Sequence, residues 1–265
     1  MSDMKKQKNA SKKELLAMLG EEPQLIADDA PFEYIEAFKE LRTNLHFVTS
    51  EKRNDSSCWK IIITSSVPGE GKSTTAINVA LSLAQTGSKV LLVDSDMRNP
   101  VLCKYLRLEQ KEKVGLSSLL SGDLKIEDCL IRTDHGIDVV VNGPIPPNPA
   151  ELIKSETMQN LIKATESQYD YIIFDTPPVG VVTDAAALAP LCDGVLYVVR
   201  HAYASKKQID KAIKKLQMVD AKILGAVMTQ YEIPKSSGRG YGYRKYKYGY
   251  GYGYGYGYGK KQGEE

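Results

Sequence analysis

Short, nearly continuous apolar runs alternate along this chain with longer segments whose apolar residues recur at helical spacing. Six of the runs are rich in β-branched residues. Runs of this kind are typical of strands buried on both faces of a parallel sheet that is covered by helices. The predicted strands are "WKIIIT" (59–64), "KVLLVD" (89–94), "IDVVV" (137–141), "YIIFD" (171–175), "GVLYVV" (194–199) and "ILGAVM" (223–228).

Four other segments have the periodicity of helices. In the first, residues 31–47, Pro31 suits a first helical turn, and the apolar positions lie three or four residues apart. The other three begin near residues 71, 155 and 205. Because strands and helices alternate, the pattern predicts an α/β fold with a doubly wound, mostly parallel sheet and helices on both faces.

Composition limits how the chain can be organised. Its 265 residues, 42% hydrophobic and 26% charged, match an ordinary globular protein with a sizeable core. We expect a basic, partly flexible segment over 1–30, one domain over 31–233, and a disordered tail over 234–265, which has no aliphatic core residue. The four cysteines have no zinc-binding spacing, and no apolar run reaches the roughly 18 residues of a spanning helix. A cytoplasmic protein with reduced thiols is therefore expected.

Charge is distributed unevenly, although the net charge is only +2. Residues 1–13 carry +4 and residues 235–265 carry +5, which leaves −7 on residues 14–234. A basic tail on an acidic body argues against a broad nucleic-acid surface on that body. We therefore expect no nucleic acid among its partners.

The segment "SSVPGEGKST" (65–74) has the features of a phosphate-binding loop. It follows the first predicted strand and opens a helix, so that backbone N–H groups and the helix dipole face a bound polyphosphate. Lys72 suits the β- and γ-phosphates, and the Ser73 hydroxyl suits Mg²⁺. The alternative is a chance glycine turn beside a surface lysine. The candidate nucleotide-binding residues are Gly69, Glu70, Gly71, Lys72, Ser73 and Thr74.

Three aspartates follow predicted strands and form a candidate metal and catalytic cluster. Asp94 and Asp96 lie at the end of one strand, and Asp175 ends another. Ligands of open parallel sheets bind outside the carboxyl ends of the strands, so we expect all three side chains beside the phosphate loop. Asp175 is the expected Mg²⁺ partner, the alternative being a carboxylate that caps the following turn. Mg²⁺ does not require both Asp94 and Asp96 as ligands. The remaining carboxylate is suited to accept a proton from an attacking hydroxyl group.

These motifs together resemble the bacterial tyrosine kinase family, the cytoplasmic kinases of capsule and exopolysaccharide synthesis. The resemblance rests on "SSVPGEGKST", on "LLVDSDMRNP" with its second aspartate motif, on "IIFDTPP", and on a terminal cluster of tyrosines. It extends from about residue 31 to the end of the sequence. Partitioning ATPases of the ParA/MinD type have an extra loop lysine where this chain has Val67, and this departure favours a kinase.

The resemblance implies an ATP- and Mg²⁺-dependent protein-tyrosine autokinase with the fold of ParA/MinD-like P-loop NTPases. It implies that the catalytic residues are Lys72, Asp94 and Asp96, and that the metal ligands are Ser73, Asp96 and Asp175. Asp94 is the better candidate for orienting or deprotonating the acceptor, and Asp96 remains the alternative. Arg98 either stabilises phosphate charge or pairs with a nearby acid.

Nine tyrosines alternate largely with glycine over residues 241–259, and the resemblance implies that they accept the phosphate. Glycine keeps such a segment from folding, so each tyrosine can enter an active site in extended form. Two other uses remain open: stacking on nucleic-acid bases by a ParA/MinD-like ATPase, and self-association of the repeats as β-strands. The candidate acceptors are Tyr241, Tyr243, Tyr246, Tyr248, Tyr250, Tyr252, Tyr254, Tyr256 and Tyr258.

The resemblance also implies partners. Members of the family form ring-shaped homo-oligomers through an ExxRxxR motif, whose positions are occupied here by Glu36, Lys39 and Arg42. Lys39 keeps the charge of the first arginine but loses its bidentate geometry. In the Gram-positive type of the family, a separate membrane adaptor recruits the kinase to the inner face of the membrane and completes its active site. A phosphotyrosine phosphatase reverses the modification.

Overall fold

The computed structural model describes residues 23–50, 58–109 and 113–231, which form helices around one seven-stranded sheet. The strands are β1 (Trp59–Ser65), β2 (Val90–Asp94), β3 (Leu130–Arg132), β4 (Asp138–Val140), β5 (Tyr171–Asp175), β6 (Gly194–Arg200) and β7 (Ile223–Thr229). The α-helices are α1 (Phe32–Thr49), α2 (Lys72–Ala84), α3 (Leu102–Tyr105), α4 (Leu116–Leu120), α5 (Ile126–Cys129), α6 (Pro149–Lys154), α7 (Glu156–Thr165), α8 (Asp184–Leu188) and α9 (Lys206–Gln217). A short 3-10 helix (Ala189–Leu191) follows α8.

The strand order is β3-β4-β2-β5-β1-β6-β7, and every neighbouring pair is parallel except β3 with β4. The predicted doubly wound, mostly parallel sheet is confirmed, and all six predicted strands are present. β3 was not predicted, because it is only three residues long and partly exposed, so it has no continuous apolar run.

The sheet changes its direction of growth at β1. From β1 the chain crosses to β2, β5 later fits between the two, and β6 and β7 extend the sheet on the opposite side. A reversal of this kind leaves a crevice at the carboxyl ends of the central strands, where ligands bind in open α/β sheets. All seven residues of β1 are buried, as expected for its central position.

Two apolar cores cover the two faces of the sheet. Ile61 and Ile63 of β1 point to one core, which also contains the buried side of α2. Ile62 of β1 and Phe174 of β5 point to the other core, which includes residues from α4, α7, α8 and α9. Alternate strand residues face opposite sides, so burial on both faces explains why the predicted strands are continuous apolar runs.

The packed part of the chain begins upstream of the predicted boundary at residue 31. Leu25 and Ile26 are buried in the core beside α2. Asn78 of α2 is fully buried, accepts the N–H of Ile26 at 2.8 Å, and donates to the carbonyl of Gln24 at 3.0 Å. A buried amide with both ends paired holds this segment on the domain.

Helix α9 has one buried and one exposed side. It begins with a capping box in which Ser205 accepts the N–H of Gln208 and the Gln208 side chain accepts the N–H of Ser205. Ala212 and Leu216 are fully buried against the sheet. Four of its five lysines are exposed, and the fifth, Lys215, is half-buried.

Some of the predicted segments lie outside the described residues, namely the first 22 residues and the tyrosine cluster. Across the ranges that the structure describes, no helix combines the length and the apolar character that crossing a bilayer requires.

Candidate active site

The phosphate loop, residues 66–71, connects the end of β1 to the first residue of α2. Gly69 and Gly71 have φ angles of 84° and 86°, in the left-handed region that favours glycine. A Cβ at Gly71 would also lie 3.3 Å from the methyl carbon of Thr229. The loop therefore uses both glycines to turn into the start of α2, where unpaired N–H groups suit an anion.

Glu70 is fully buried and supports the loop from within. Its Oε2 accepts the N–H groups of Ser66 at 2.7 Å and Val67 at 2.8 Å. Its main-chain carbonyl accepts the hydroxyl of Thr229 at 2.8 Å. The carboxylate of Glu70 thus shapes the loop, and Thr229, which the sequence did not single out, connects the end of β7 to it.

The predicted lysine and the three predicted aspartates lie together at the carboxyl edge of the sheet. Asp94 and Asp175 end the neighbouring strands β2 and β5 and are directly opposite each other in register. Lys72 Nζ lies 2.8 Å from Asp96 Oδ2 and 3.9 Å from Asp175 Oδ1. The position of this cluster follows from the strand order, because β5 stands between the strand that carries Asp94 and the strand that leads to the loop.

Burial dominates the electrostatics of the cluster. It raises the pKa of Asp175 from 3.8 to about 6, with Lys72 opposing this change and Asp96 adding to it. Burial also raises the pKa of Asp94 well above its ordinary value, and the charges of Asp175 and Asp96 act in the same direction. Burial alone would lower the pKa of Lys72, but Asp175 and Asp96 outweigh it and raise that pKa. Lys72 therefore opposes, but does not cancel, the effect of burial on the pKa of Asp175 and of Asp94.

The oxygens of this cluster suit a hard cation. Within the described residues, neither carboxylate oxygen of Asp175 has a hydrogen-bond partner. The Ser73 hydroxyl is close enough to lower the pKa of Asp175 and so to favour its carboxylate form. One oxygen of Asp94 is likewise unpartnered in that part of the chain. No group of three His, Cys, Asp or Glu side chains in the described ranges could hold a metal alone. The unpartnered carboxylate oxygens suit Mg²⁺, which is usually bound by one or two carboxylates together with the substrate's phosphates.

Arg98 pairs with a nearby acid, Asp184, which is one of the two roles predicted for it. Its Nε and one terminal nitrogen donate to the two oxygens of Asp184 at 2.6 and 3.1 Å. Asp184 is buried at the start of α8. The pair therefore joins the segment that carries Asp96 to the helix that follows Asp175, and no motif in the sequence indicated this partner.

The residues predicted to mediate oligomerisation lie on α1. Lys39 Nζ and Glu36 Oε1 form an exposed ion pair at 2.8 Å. Arg42 instead contacts α2, where its guanidinium donates to the carbonyl of Ser82 at 2.6 Å and to its hydroxyl at 3.3 Å. Arg42 thus has a role within the domain, whereas Glu36 and Lys39 pair with each other at the surface.

Comparisons with known proteins identify the type of enzyme. A family model described as an AAA domain matches residues 59–228. The chain is 40% identical over 206 residues to the tyrosine-protein kinase YwqD of Bacillus subtilis (strain 168), covering 77% of this chain and 84% of that protein. This chain belongs to the bacterial tyrosine kinase family. It is a protein-tyrosine kinase, and the resemblance inferred from its motifs is confirmed.

Solved structures agree with this bacterial tyrosine kinase assignment. The chimerical protein CapA2B2 is 39% identical with a TM-score of 0.68, covering 76% of this chain and 85% of that one. The kinase domain of the Escherichia coli tyrosine kinase ETK is 30% identical with a TM-score of 0.71, covering 79% and 80%. The septum site-determining protein MinD of Pyrococcus horikoshii OT3, complexed with Mg-ADP, is 25% identical with a TM-score of 0.55, covering 64% and 70%. The predicted relation to the ParA/MinD-like fold is also confirmed.

Proposed function

We propose that this bacterial tyrosine kinase transfers the γ-phosphoryl group of ATP to tyrosines in its own cluster at residues 241–258. The observation that supports this best is the presence of a third buried carboxylate, Asp94, beside Lys72, Asp96 and Asp175. Holding Mg·nucleotide requires the lysine and one or two carboxylates. A further carboxylate is what a kinase needs in order to orient an acceptor hydroxyl.

In this proposal, the phosphate loop binds the polyphosphate. The N–H groups of residues 69–74 and the ammonium of Lys72 contact its oxygens, while Glu70 keeps the loop in shape. Ser73, Asp96 and Asp175 hold Mg²⁺, which when bound offsets negative charge on the phosphate oxygens. The raised pKa of Asp175 means that its charged form gains most from a nearby cation.

Asp94 orients the acceptor tyrosine and receives its proton. A bond forms between the phenolic oxygen and the γ-phosphorus, the bond to the β–γ bridging oxygen breaks, and the phenolic proton passes to Asp94. A phenol has a pKa near 10, so proton transfer comes late in a loose transition state. Because burial and the charges of Asp175 and Asp96 raise the pKa of Asp94, its ionised carboxylate is a stronger proton acceptor than that of an ordinary aspartate. Asp96 is less suited to this role because it already pairs with Lys72 at 2.8 Å.

We also propose that phosphate transfer occurs between chains of a ring-shaped oligomer. Support comes from the family resemblance and from α1, which presents Glu36 and Lys39 on an exposed surface. Several acceptors in one glycine-rich segment mean that no single tyrosine is essential. Each phosphate adds about −1.5 to −2 charges, so three would take the basic segment 235–265 from +5 to about 0, and more would make it acidic and alter assembly.

The cellular setting follows from the same family relationship. A membrane adaptor would recruit the kinase to the inner face of the cell membrane and complete its active site. Phosphorylation and a cognate phosphatase would then regulate the synthesis and export of a capsular or extracellular polysaccharide.

The transfer reaction can be tested with two full-length variants mixed with Mg·ATP. Lys72→Met serves as substrate, and a chain with all nine cluster tyrosines changed to Phe serves as enzyme, with the adaptor's cytoplasmic segment added. Mass spectrometry should find phosphate on residues 241–258 of the Lys72→Met chain, and Asp94→Asn in the enzyme should abolish it. Self-labelling of wild type without labelling of the Lys72→Met chain would instead establish transfer within one chain. ATP hydrolysis with no labelling at all would favour an ATPase whose tail binds nucleic acid.

A further inference from the structure

The segment that follows Asp175, residues 176–183, lies directly against the phosphate loop and is called here the Asp175 loop. The hydroxyl of Thr64 donates to the carbonyl of Pro177 at 2.9 Å and accepts the N–H of Val179 at 3.2 Å. A Cβ at Gly180 would lie only 2.0 Å from the carbonyl oxygen of Ser66, so the two backbones are in contact. The position of the Asp175 loop is therefore coupled to that of the phosphate loop.

Lys215 of α9 holds the Asp175 loop from its other side. Its Nζ donates to the carbonyl of Val179 at 2.9 Å and to the carbonyl of Gly180 at 3.1 Å. Among the described residues, no carboxylate lies within ion-pair distance of this ammonium. Both acceptors belong to the loop, so Lys215 keeps these two hydrogen bonds only while the loop stays where it is.

The position of Lys215 on its helix differs from that of the other lysines of α9. It is half-buried and adjoins the fully buried residues Ala212 and Leu216. The other four lysines of the helix are exposed: Lys206, Lys207, Lys211 and Lys214. An ammonium loses hydration when it approaches an apolar layer, and the two carbonyls replace part of that hydration.

We propose that Lys215 is a positioning residue for the kinase reaction. By holding Val179 and Gly180, it keeps the Asp175 loop against the phosphate loop, and thereby keeps the Asp175 carboxylate at the end of β5 facing Lys72 and Ser73. Asp184, the residue directly after the loop, is held by Arg98, so the segment is held both in its middle and where it ends. The inference rests on the proposed metal role of Asp175.

A matched pair of full-length variants tests this role. Lys215→Met removes the ammonium but keeps a side chain of similar length, and Lys214→Met makes the same change at the neighbouring exposed position. The loss of a hydrogen bond to a charged group is expected to change an apparent binding constant on the order of tenfold. Lys215→Met should raise the Mg²⁺ concentration for half-maximal autophosphorylation by about tenfold. Lys214→Met should leave it unchanged, and Lys215→Arg, which keeps the charge and the donors, should restore most of the wild-type response.

A structural defect alone would lower the melting temperature without changing the Mg²⁺ response of the folded fraction, so thermal unfolding is measured in parallel. Equal Mg²⁺ responses of Lys215→Met and Lys214→Met would overturn the inference. Asp175→Asn is assayed alongside: a wild-type Mg²⁺ response in that variant would overturn the metal assignment itself, independently of the lysine comparison.

Wild-type protein provides a second measurement if Lys215→Met does not fold. In a brief acetylation of lysines, Lys215 should react at least about tenfold more slowly than Lys214, because its ammonium is held by two carbonyls. Mg²⁺ with a non-hydrolysable ATP analogue should slow the reaction of Lys215 further. Equal rates at the two lysines, or no effect of the nucleotide, would contradict the proposed coupling.

Discussion

Asp94 and Asp175 are register partners at the last positions of the neighbouring parallel strands β2 and β5. Parallel strands lie about 4.8 Å apart, so this register places two buried carboxylates side by side. Burial raises the pKa of both carboxyls. The charges of Asp175 and Asp96 add to this for Asp94, the charge of Asp96 adds to it for Asp175, and the ammonium of Lys72 opposes both changes. A cation bound beside these carboxylates would favour their charged forms.

Stability without metal should depend on pH through Asp175. Its folded-state pKa of about 6 exceeds its ordinary value of 3.8, so the native state binds a proton more tightly than the unfolded chain does. The free energy of unfolding should fall as the pH rises from about 4 to about 6, by roughly 3 kcal/mol at about 1.4 kcal/mol per pH unit. Urea unfolding in EDTA across this pH range measures the effect.

Asp175→Asn provides the comparison for that titration. It removes the titrating group, so its stability should vary less with pH, and near pH 7.5 the metal-free variant should melt at a higher temperature than wild type. Mg·ATP should then stabilise wild type more than the variant, because a ligand stabilises only the state that binds it. Identical pH profiles for the two proteins would contradict the assignment of the buried charge.

Asp94→Asn should separate catalysis from nucleotide binding. The amide keeps the size of the side chain but cannot accept a proton, so kcat for autophosphorylation should fall by about 10²- to 10⁴-fold. The ATP affinity should stay within a few-fold of wild type, because this proposal assigns Asp94 to the acceptor hydroxyl, and its carboxylate accepts the N–H of Leu102 at 3.3 Å. Isothermal titration and a phosphorylation time course measure the two quantities. A large loss of ATP affinity would instead place Asp94 on the nucleotide.

Thr229→Val should weaken ATP binding although Thr229 lies at the end of the last strand. The change removes the hydroxyl that donates to the carbonyl of Glu70, a hydrogen bond worth about 0.5–1.5 kcal/mol, so the dissociation constant should rise about 2- to 10-fold. Thr229→Ser keeps the hydroxyl and should bind ATP like wild type. A serine variant as weak as the valine variant would contradict this prediction, because it would show that the methyl group beside Gly71 contributes as much as the hydroxyl.

Gly180→Ala should destabilise the protein, because the new methyl group would lie 2.0 Å from the carbonyl oxygen of Ser66. Overpacking against backbone typically costs about 1–3 kcal/mol. Gly225→Ala is the control, since a Cβ there meets nothing within 4 Å. Its free energy of unfolding should stay within about 0.5 kcal/mol of wild type. Denaturant unfolding measures the midpoint of each variant. Equal midpoints for Gly180→Ala and Gly225→Ala would contradict the close approach of Gly180 to Ser66.

The oligomerisation residues should respond differently to mutation. Arg42→Ala removes hydrogen bonds to Ser82 within the domain, so it should lower the melting temperature as well as weaken assembly. Lys39→Ala removes only an exposed ion pair, which typically contributes about 0–1 kcal/mol, and should affect assembly without a comparable loss of stability. Analytical ultracentrifugation and thermal unfolding distinguish the two effects. A wild-type sedimentation profile for both variants would exclude α1 from the oligomer interface.

Much of the fold and of the site was already determined by local sequence. Each central strand is an apolar run because both of its faces are covered, and the phosphate loop is recognisable because its glycines, lysine and serine act within ten consecutive residues. The cluster of Lys72, Asp94, Asp96 and Asp175 could be predicted because parallel strands present their carboxyl ends at one edge. The family could be recognised for the same reason, since its motifs are short and contiguous.

Only the tertiary structure decided which distant residues support that site. The contacts of Arg98 with Asp184, Thr229 with Glu70, and Lys215 with Val179 join residues that are between 36 and 159 positions apart. Each of these side chains is an ordinary polar residue in its local sequence, and its partner is set by strand order and helix packing. The periodicity of a sequence indicates which residues are buried, but the pairing of polar groups from different elements depends on how those elements pack. The contacts of Arg98, Thr229 and Lys215 are therefore visible only in the folded chain.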